Sequence, residues 1–141
     1  MAKLIMNTKL ELPLWLAELL AISGISPESQ TSFISLLTPS FFNAKLLNAL
    51  KSDPVSLDLN AQCPVYYRMA QRWLSIFGDP ELAEVVSETL RARAVSIFDH
   101  AHNINADGGE FLFKLDEFEK NLYKATHDSS KELKKWIRKS N

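Results

Sequence analysis

Apolar residues recur at three- and four-residue steps along the last third of the chain: Phe111, Leu115, Phe118, Leu122, Ala125, Leu133 and Trp136, with one polar step at Ser129. This is the helical period, and it predicts one helix from about Phe111 to about Arg138. Lys114, Asp116, Glu117, Glu119, Lys120, Lys124, Asp128 and Lys131 fall between those positions and are expected on the solvated face. At ~1.5 Å per residue such a helix runs roughly 40 Å, so it should project past the core of a small domain. Upstream, Asp79-Pro80-Glu81 combines a capping carboxylate, a first-turn proline and an early negative charge. That start signal predicts a second long helix from Asp79 to about Ile104. The connection from Asn105 to Glu110 is short and contains Gly108-Gly109, so the two helices are expected to pair as an antiparallel hairpin.

Three shorter helices precede the hairpin. Pro13 suits a first turn, and Leu14 to Ile22 follow with Glu18 as their only charge, which makes a short helix apolar nearly all round. Ser23 to Thr31 reads as a polar loop. Thr38 is the expected N-cap of the next helix, with Pro39 as its first residue and Asp53-Pro54 as its end. Val55, Leu57 and Leu59 alternate with polar residues and predict an extended stretch. Pro64 opens a third helix that Gly78 closes, with Val65, Tyr66, Met69, Ala70, Trp73 and Phe77 on a wide apolar surface. The expected fold class is all-α, a five-helix bundle with a long antiparallel C-terminal hairpin. Residues 1–12 form a short lead-in and 13–141 a single helical domain.

Composition narrows the function more than it widens it. A formal charge of -1 with 46 % hydrophobic and 23 % charged residues describes an ordered globular chain rather than a disordered or dedicated nucleic-acid-binding one. One cysteine, Cys63, excludes an internal disulfide and fits a reducing compartment. No stretch approaches a membrane span. Phosphate loops, nucleophile elbows and paired-cysteine motifs are absent from the sequence. Asp99, His100, His102 and His127 are the nearest approach to a metal set, yet His100 is rotated about 160° from His102 on a helix. They are read as solvated or hydrogen-bonded histidines, and Cys63 as structural. No catalytic residue, cofactor or metal is expected.

What remains is surface. Five helices cannot hide every apolar face, and Trp and Tyr are enriched where proteins meet. Leu14, Trp15, Phe41, Tyr66, Tyr67 and Trp136 are therefore the expected partner contacts, with Trp73 assigned to the core. Lys131, Lys134, Lys135 and Arg138 share a face at the C-terminal end; it could complement the helix dipole, an acidic partner or, least favoured, DNA.

The ordered segments Lys9-Leu10-Glu11-Leu12-Pro13-Leu14-Trp15-Leu16-Ala17, Asn48-Ala49-Leu50-Lys51-Ser52-Asp53-Pro54, Leu90-Arg91-Ala92-Arg93, Lys114-Leu115-Asp116-Glu117-Phe118-Glu119 and Lys134-Lys135-Trp136 span nearly the whole chain. In that order they resemble the GINS subunits of eukaryotic DNA replication, and among them the Psf-three type. The resemblance implies a nuclear, non-catalytic subunit that assembles with the Sld-five, Psf-one and Psf-two types into a heterotetramer. Through that tetramer it would join the minichromosome-maintenance ring and the Cdc-forty-five type protein in the replicative helicase, with no direct DNA contact. Members of this type carry a small β-rich domain ahead of the segment matching Leu12-Pro13-Leu14-Trp15, whereas about twelve residues precede it here, so residues 1–12 are read as a remnant or linker of that absent domain. A free-standing helical adaptor or homodimeric module is the alternative from composition alone.

Overall fold

A computed structural model describes residues 8–24, 32–103 and 109–139. The expectations for residues 1–7, the loop 25–31, the end of the first long helix at Ile104 and the connection 105–108 lie outside the described residues. The chain forms two compact units, Met1–Thr38 and Pro39–Asn141. Among the described residues the fold is all-α, and the pairing of Gly24 with Ser32 is an isolated bridge rather than a sheet.

In the first unit, α1 (Leu14–Ile22) begins one residue after Pro13, which stands at the N-cap rather than in the first turn; its carbonyl accepts from the Leu16 and Ala17 amides at 3.0 Å each. Trp15, Leu19 and Ile22 on this helix are exposed.

The second unit begins with a 3-10 turn at Ser40–Phe42 and continues as α2 (Ala44–Ser52), α3 (Leu59–Gln62), α4 (Tyr66–Phe77), α5 (Pro80–His102), α6 (Gly109–Phe113) and α7 (Glu117–Lys139). Asp79 and Gly78 behave as the sequence predicts: the Asp79 carboxylate accepts from the Glu81 and Leu82 amides, and Gly78 takes the left-handed conformation at φ 58°. Elsewhere local chemistry overrides the first reading. Asn43, not Thr38, caps α2, because its side chain accepts from the Leu46 amide at 2.8 Å. The stretch expected to be extended instead turns at Asp53, whose side chain binds the Val55 and Ser56 amides, and enters α3 under the Asp58 cap.

The helical hairpin also needs correction. The helix expected from Phe111 onward is broken at residues 114–116, where Asp116 and Glu119 form a reciprocal capping box. The Glu119 amide donates to Asp116 Oδ1 at 2.8 Å and the Asp116 amide to Glu119 Oε2 at 3.2 Å. The break reverses the chain. His100 stacks on Phe111 and Arg93 reaches the Lys114 carbonyl, so the segment through α6 runs back along α5. α7 then starts beside Arg93, bonded to Glu119, and reaches Ala101 at His127. Both pairs are separated by 26 residues. Residue numbers therefore rise together, and the two long helices run parallel rather than antiparallel.

α7 and α4 pack against α5, as does α2. Phe42, Tyr66 and Trp73 meet edge-on or tilted with centroids 5.5–6.1 Å apart inside this packing. Tyr66 is fully buried, and its hydroxyl has no hydrogen-bond partner among the described residues. Tyr66→Phe is thus expected to be neutral or to stabilise by up to about 1 kcal/mol, read as a raised Tm. Burial pushes the Tyr66 hydroxyl up to about 12, with Cys63 nearby adding to the effect, and it raises Tyr67 in the same direction. A raised folded-state value means stability that is present below the unfolded value near 10 and lost as pH rises toward 12. Melting temperatures should fall over that window, and less steeply in the phenylalanine variant.

Candidate protein interaction surface

The side chains with the most interactions form a buried polar hub. Arg93 is 2 % exposed and Glu119 fully buried. Arg93 Nε donates to Glu119 Oε1 at 2.6 Å and one terminal nitrogen to Oε2 at 2.9 Å. The other terminal nitrogen donates to the carbonyls of Pro54, Val55 and Leu57 at 2.8–3.2 Å. Tyr67 adds its hydroxyl to Glu119 Oε1 at 2.9 Å, and its amide approaches Asp116 Oδ2 at 3.3 Å. Burial holds the Asp116 carboxyl above the usual carboxylate range, against the amides of Glu119 and Tyr67, which lower it. One guanidinium thus ties the loop after α2 to the start of α7, and Tyr67 joins α4. The groups of the hub bond to one another and to backbone carbonyls, which holds these elements together.

The consequence appears on α7. Its inward line is Glu119, Thr126, His127 and Ser130, buried or half-buried. The apolar stripe expected inside stands about a quarter-turn away. Phe118 is 51 % exposed and Trp136 66 %, with Ala125 and Leu133 also exposed and Leu122 half-buried. Every residue from Lys131 to Lys139 is exposed, so the last turns of α7 project beyond the core as the length predicted. On α5, Val95 and Phe98 are exposed as well. Large exposed apolar surfaces of this kind mark places where another protein sits.

The expected contact residues divide accordingly. Trp136 and Trp15 are exposed, while Leu14 and Phe41 are half-buried. Tyr66 and Tyr67 are core: their rings pack edge to face at 5.7 Å, and Tyr67 serves the hub. Residue type alone selected them, and type does not tell an anchor from a core aromatic. Phe98, Val95, Phe118 and Leu133, which sequence reasoning did not choose as contacts, are among the exposed apolar residues. Lys131, Lys134, Lys135 and Arg138 are all exposed on the projecting end, with Lys135 bonded to Glu132 at 2.7 Å.

The histidines do not converge. His100 and His102 place Nδ1 at 2.8 Å from the carbonyls of Ser96 and Phe98, one turn back, and His127 Nδ1 lies 3.0 Å from the Ala101 carbonyl across the helix pair. Among the described residues no group of three His, Cys, Asp or Glu side chains could hold a metal ion. Cys63 is buried.

Residues 41–138 match the family model described as the GINS complex protein helical bundle domain. The chain is 47 % identical over 133 residues to the DNA replication complex GINS protein PSF3 of Debaryomyces hansenii, covering 94 % of this chain and 76 % of that protein. It is 41 % identical over 151 residues to the protein of the same description in Saccharomyces cerevisiae, covering 93 % and 78 %. The Schizosaccharomyces pombe protein is 34 % identical over 133 residues, covering 92 % and 75 %. The matched region contains the hub and the exposed face of α7.

Proposed function

We propose, from the premise that this chain belongs to the GINS family of helical-bundle proteins, that it is a non-catalytic subunit of a GINS heterotetramer acting in nuclear DNA replication. The observation that carries this reading is the apolar stripe of α7, which the chain leaves exposed while spending the inward face on a polar hub. A subunit held permanently by others needs apolar surface in excess of its own core. The partners are the Sld-five, Psf-one and Psf-two type subunits. Through them the chain joins the minichromosome-maintenance ring and the Cdc-forty-five type protein.

Co-expression with the three partner subunits, followed by size-exclusion chromatography with light scattering, tests this directly. A stable particle holding one copy of each chain is the expected result. Elution of this chain apart from an assembled remainder would overturn the reading in favour of a free-standing adaptor.

A further inference from the structure

Several stretches of the chain carry residue patterns that protein kinases read. Arg91-Ala92-Arg93-Ala94-Val95-Ser96 and Arg72-Trp73-Leu74-Ser75 place arginine ahead of a serine, Ser129 stands three residues before Glu132, and Thr38-Pro39 places proline directly after a threonine. A kinase takes its substrate as an extended strand with the acceptor hydroxyl exposed, so a hydroxyl inside a stable helix is reached only after that helix opens.

The fold removes the helical ones. Ser96 is half-buried in the middle of α5, its carbonyl lies 2.8 Å from His100 Nδ1, and Arg93 is engaged by Glu119 and the Pro54 carbonyl. Ser75 is inside α4, where its hydroxyl donates to the Arg72 carbonyl at 2.7 Å. Ser129 is inside α7.

Thr38 differs from all three. Residues 34–39 belong to no helix or strand, and Pro39 continues the chain in extended form at φ -58° and ψ 150°. Proline pushes the residue before it out of the helical region, so the extension at Thr38 is a property of the dipeptide itself. Leu37, Thr38 and Ser40 are exposed. Because Asn43 caps α2 through the Leu46 amide, the cap leaves the Thr38 hydroxyl unused, and that hydroxyl has no hydrogen-bond partner among the described residues. Ser26-Pro27, the other dipeptide of this kind, lies outside the described residues.

We infer that Thr38 is a phosphorylation site for a proline-directed serine/threonine kinase. Thr38 Oγ1 attacks the γ-phosphorus of magnesium-bound ATP, the bond from that phosphorus to the β–γ bridging oxygen breaks, ADP leaves, and the hydroxyl proton passes to the catalytic carboxylate of the kinase. Pro39 supplies the selectivity, because it has no N–H and so needs no backbone acceptor at the position after the threonine. The product carries a charge of about −1.5 to −2 at pH 7. It stands beside Leu37, and a dianion there opposes any contact that would bury this exposed apolar side chain. Neither the site nor its chemistry depends on the place of the chain in an assembly.

The test incubates the full folded chain with a proline-directed kinase and ATP labelled at the γ-phosphate, and locates the phosphate by fragment mass spectrometry. Label on Thr38 is expected. Thr38→Ala should abolish it, Thr38→Ser should retain it, and Pro39→Ala should slow it by about tenfold or more, with helical circular dichroism unchanged in each variant. In the chain recovered from its own growing cells the same phosphate is expected, and it should disappear when proline-directed kinases are inhibited. Label on Ser26 alone, or on Thr38 only after heat unfolding, would overturn the assignment. So would chain from cells that never carries the phosphate at Thr38.

Discussion

Glu119→Ala is expected to destabilise the helical bundle by about 3–5 kcal/mol, enough to abolish cooperative unfolding near physiological temperature in a domain of ordinary stability. The reason is what remains behind. Removing the carboxylate leaves the Arg93 guanidinium buried without its charge partner, the Tyr67 hydroxyl without an acceptor and the Asp116 amide without its capping partner. Glu119→Gln keeps the shape and a hydrogen-bonding oxygen but not the charge, and should cost less. Urea denaturation followed by circular dichroism checks both. A loss below about 1 kcal/mol for the alanine variant would mean that water repairs the site, contrary to its closure in the structure. Because the partners are coupled, Arg93→Met combined with Glu119→Met should recover part of the loss, as buried ion pairs often do when replaced whole.

Arg93→Lys is expected to cost about 2–4 kcal/mol although it preserves the charge. Arginine here serves five acceptors from a planar fork: the two Glu119 oxygens and the carbonyls of Pro54, Val55 and Leu57, with the Lys114 carbonyl as a further contact. An ammonium has three donors on one atom and cannot lie against both the carboxylate and the loop. The loss should be local before it is global. Hydrogen exchange is expected to quicken at the Leu59 and Glu117 amides, which bind the Lys114 and Pro64 carbonyls beside the hub, before it quickens in the middle of α5. Uniform acceleration along α5 would show that the hub supports the entire bundle rather than its loops.

Several features of this arrangement were legible in the chain. The α5 start at Asp79-Pro80, the left-handed Gly78 and the all-α class are local matters, fixed by residues within a turn of one another. The break before α7 was legible too, since Asp116 and Glu119 carry capping-box spacing, but the apolar rhythm from Phe111 to Leu122 runs across it and suggests one unbroken helix. Arg93 left a quieter signal. It sits in the four-residue ladder Val85, Thr89, Arg93, Ile97, Ala101, where every other member is apolar or small, and an arginine in such a row is either misplaced or fully paired.

The sequence by itself determined the all-α class, the extent of α1, the end of α4 at Gly78, the start of α5 at Asp79 and the family to which the chain belongs, because capping, propensity and period act between near neighbours. Only the tertiary structure decided which side of α7 is inside. The apolar stripe from Phe118 to Trp136 and the polar line from Glu119 to Ser130 both have helical spacing, so either could face the core. The choice went to the polar line because Glu119 meets Arg93 and Tyr67 from two other helices, and three distant residues can compensate one another's desolvation only where the fold brings them together. The parallel course of α5 and α7 follows from the same placement, and it leaves the apolar stripe turned outward, available to another protein.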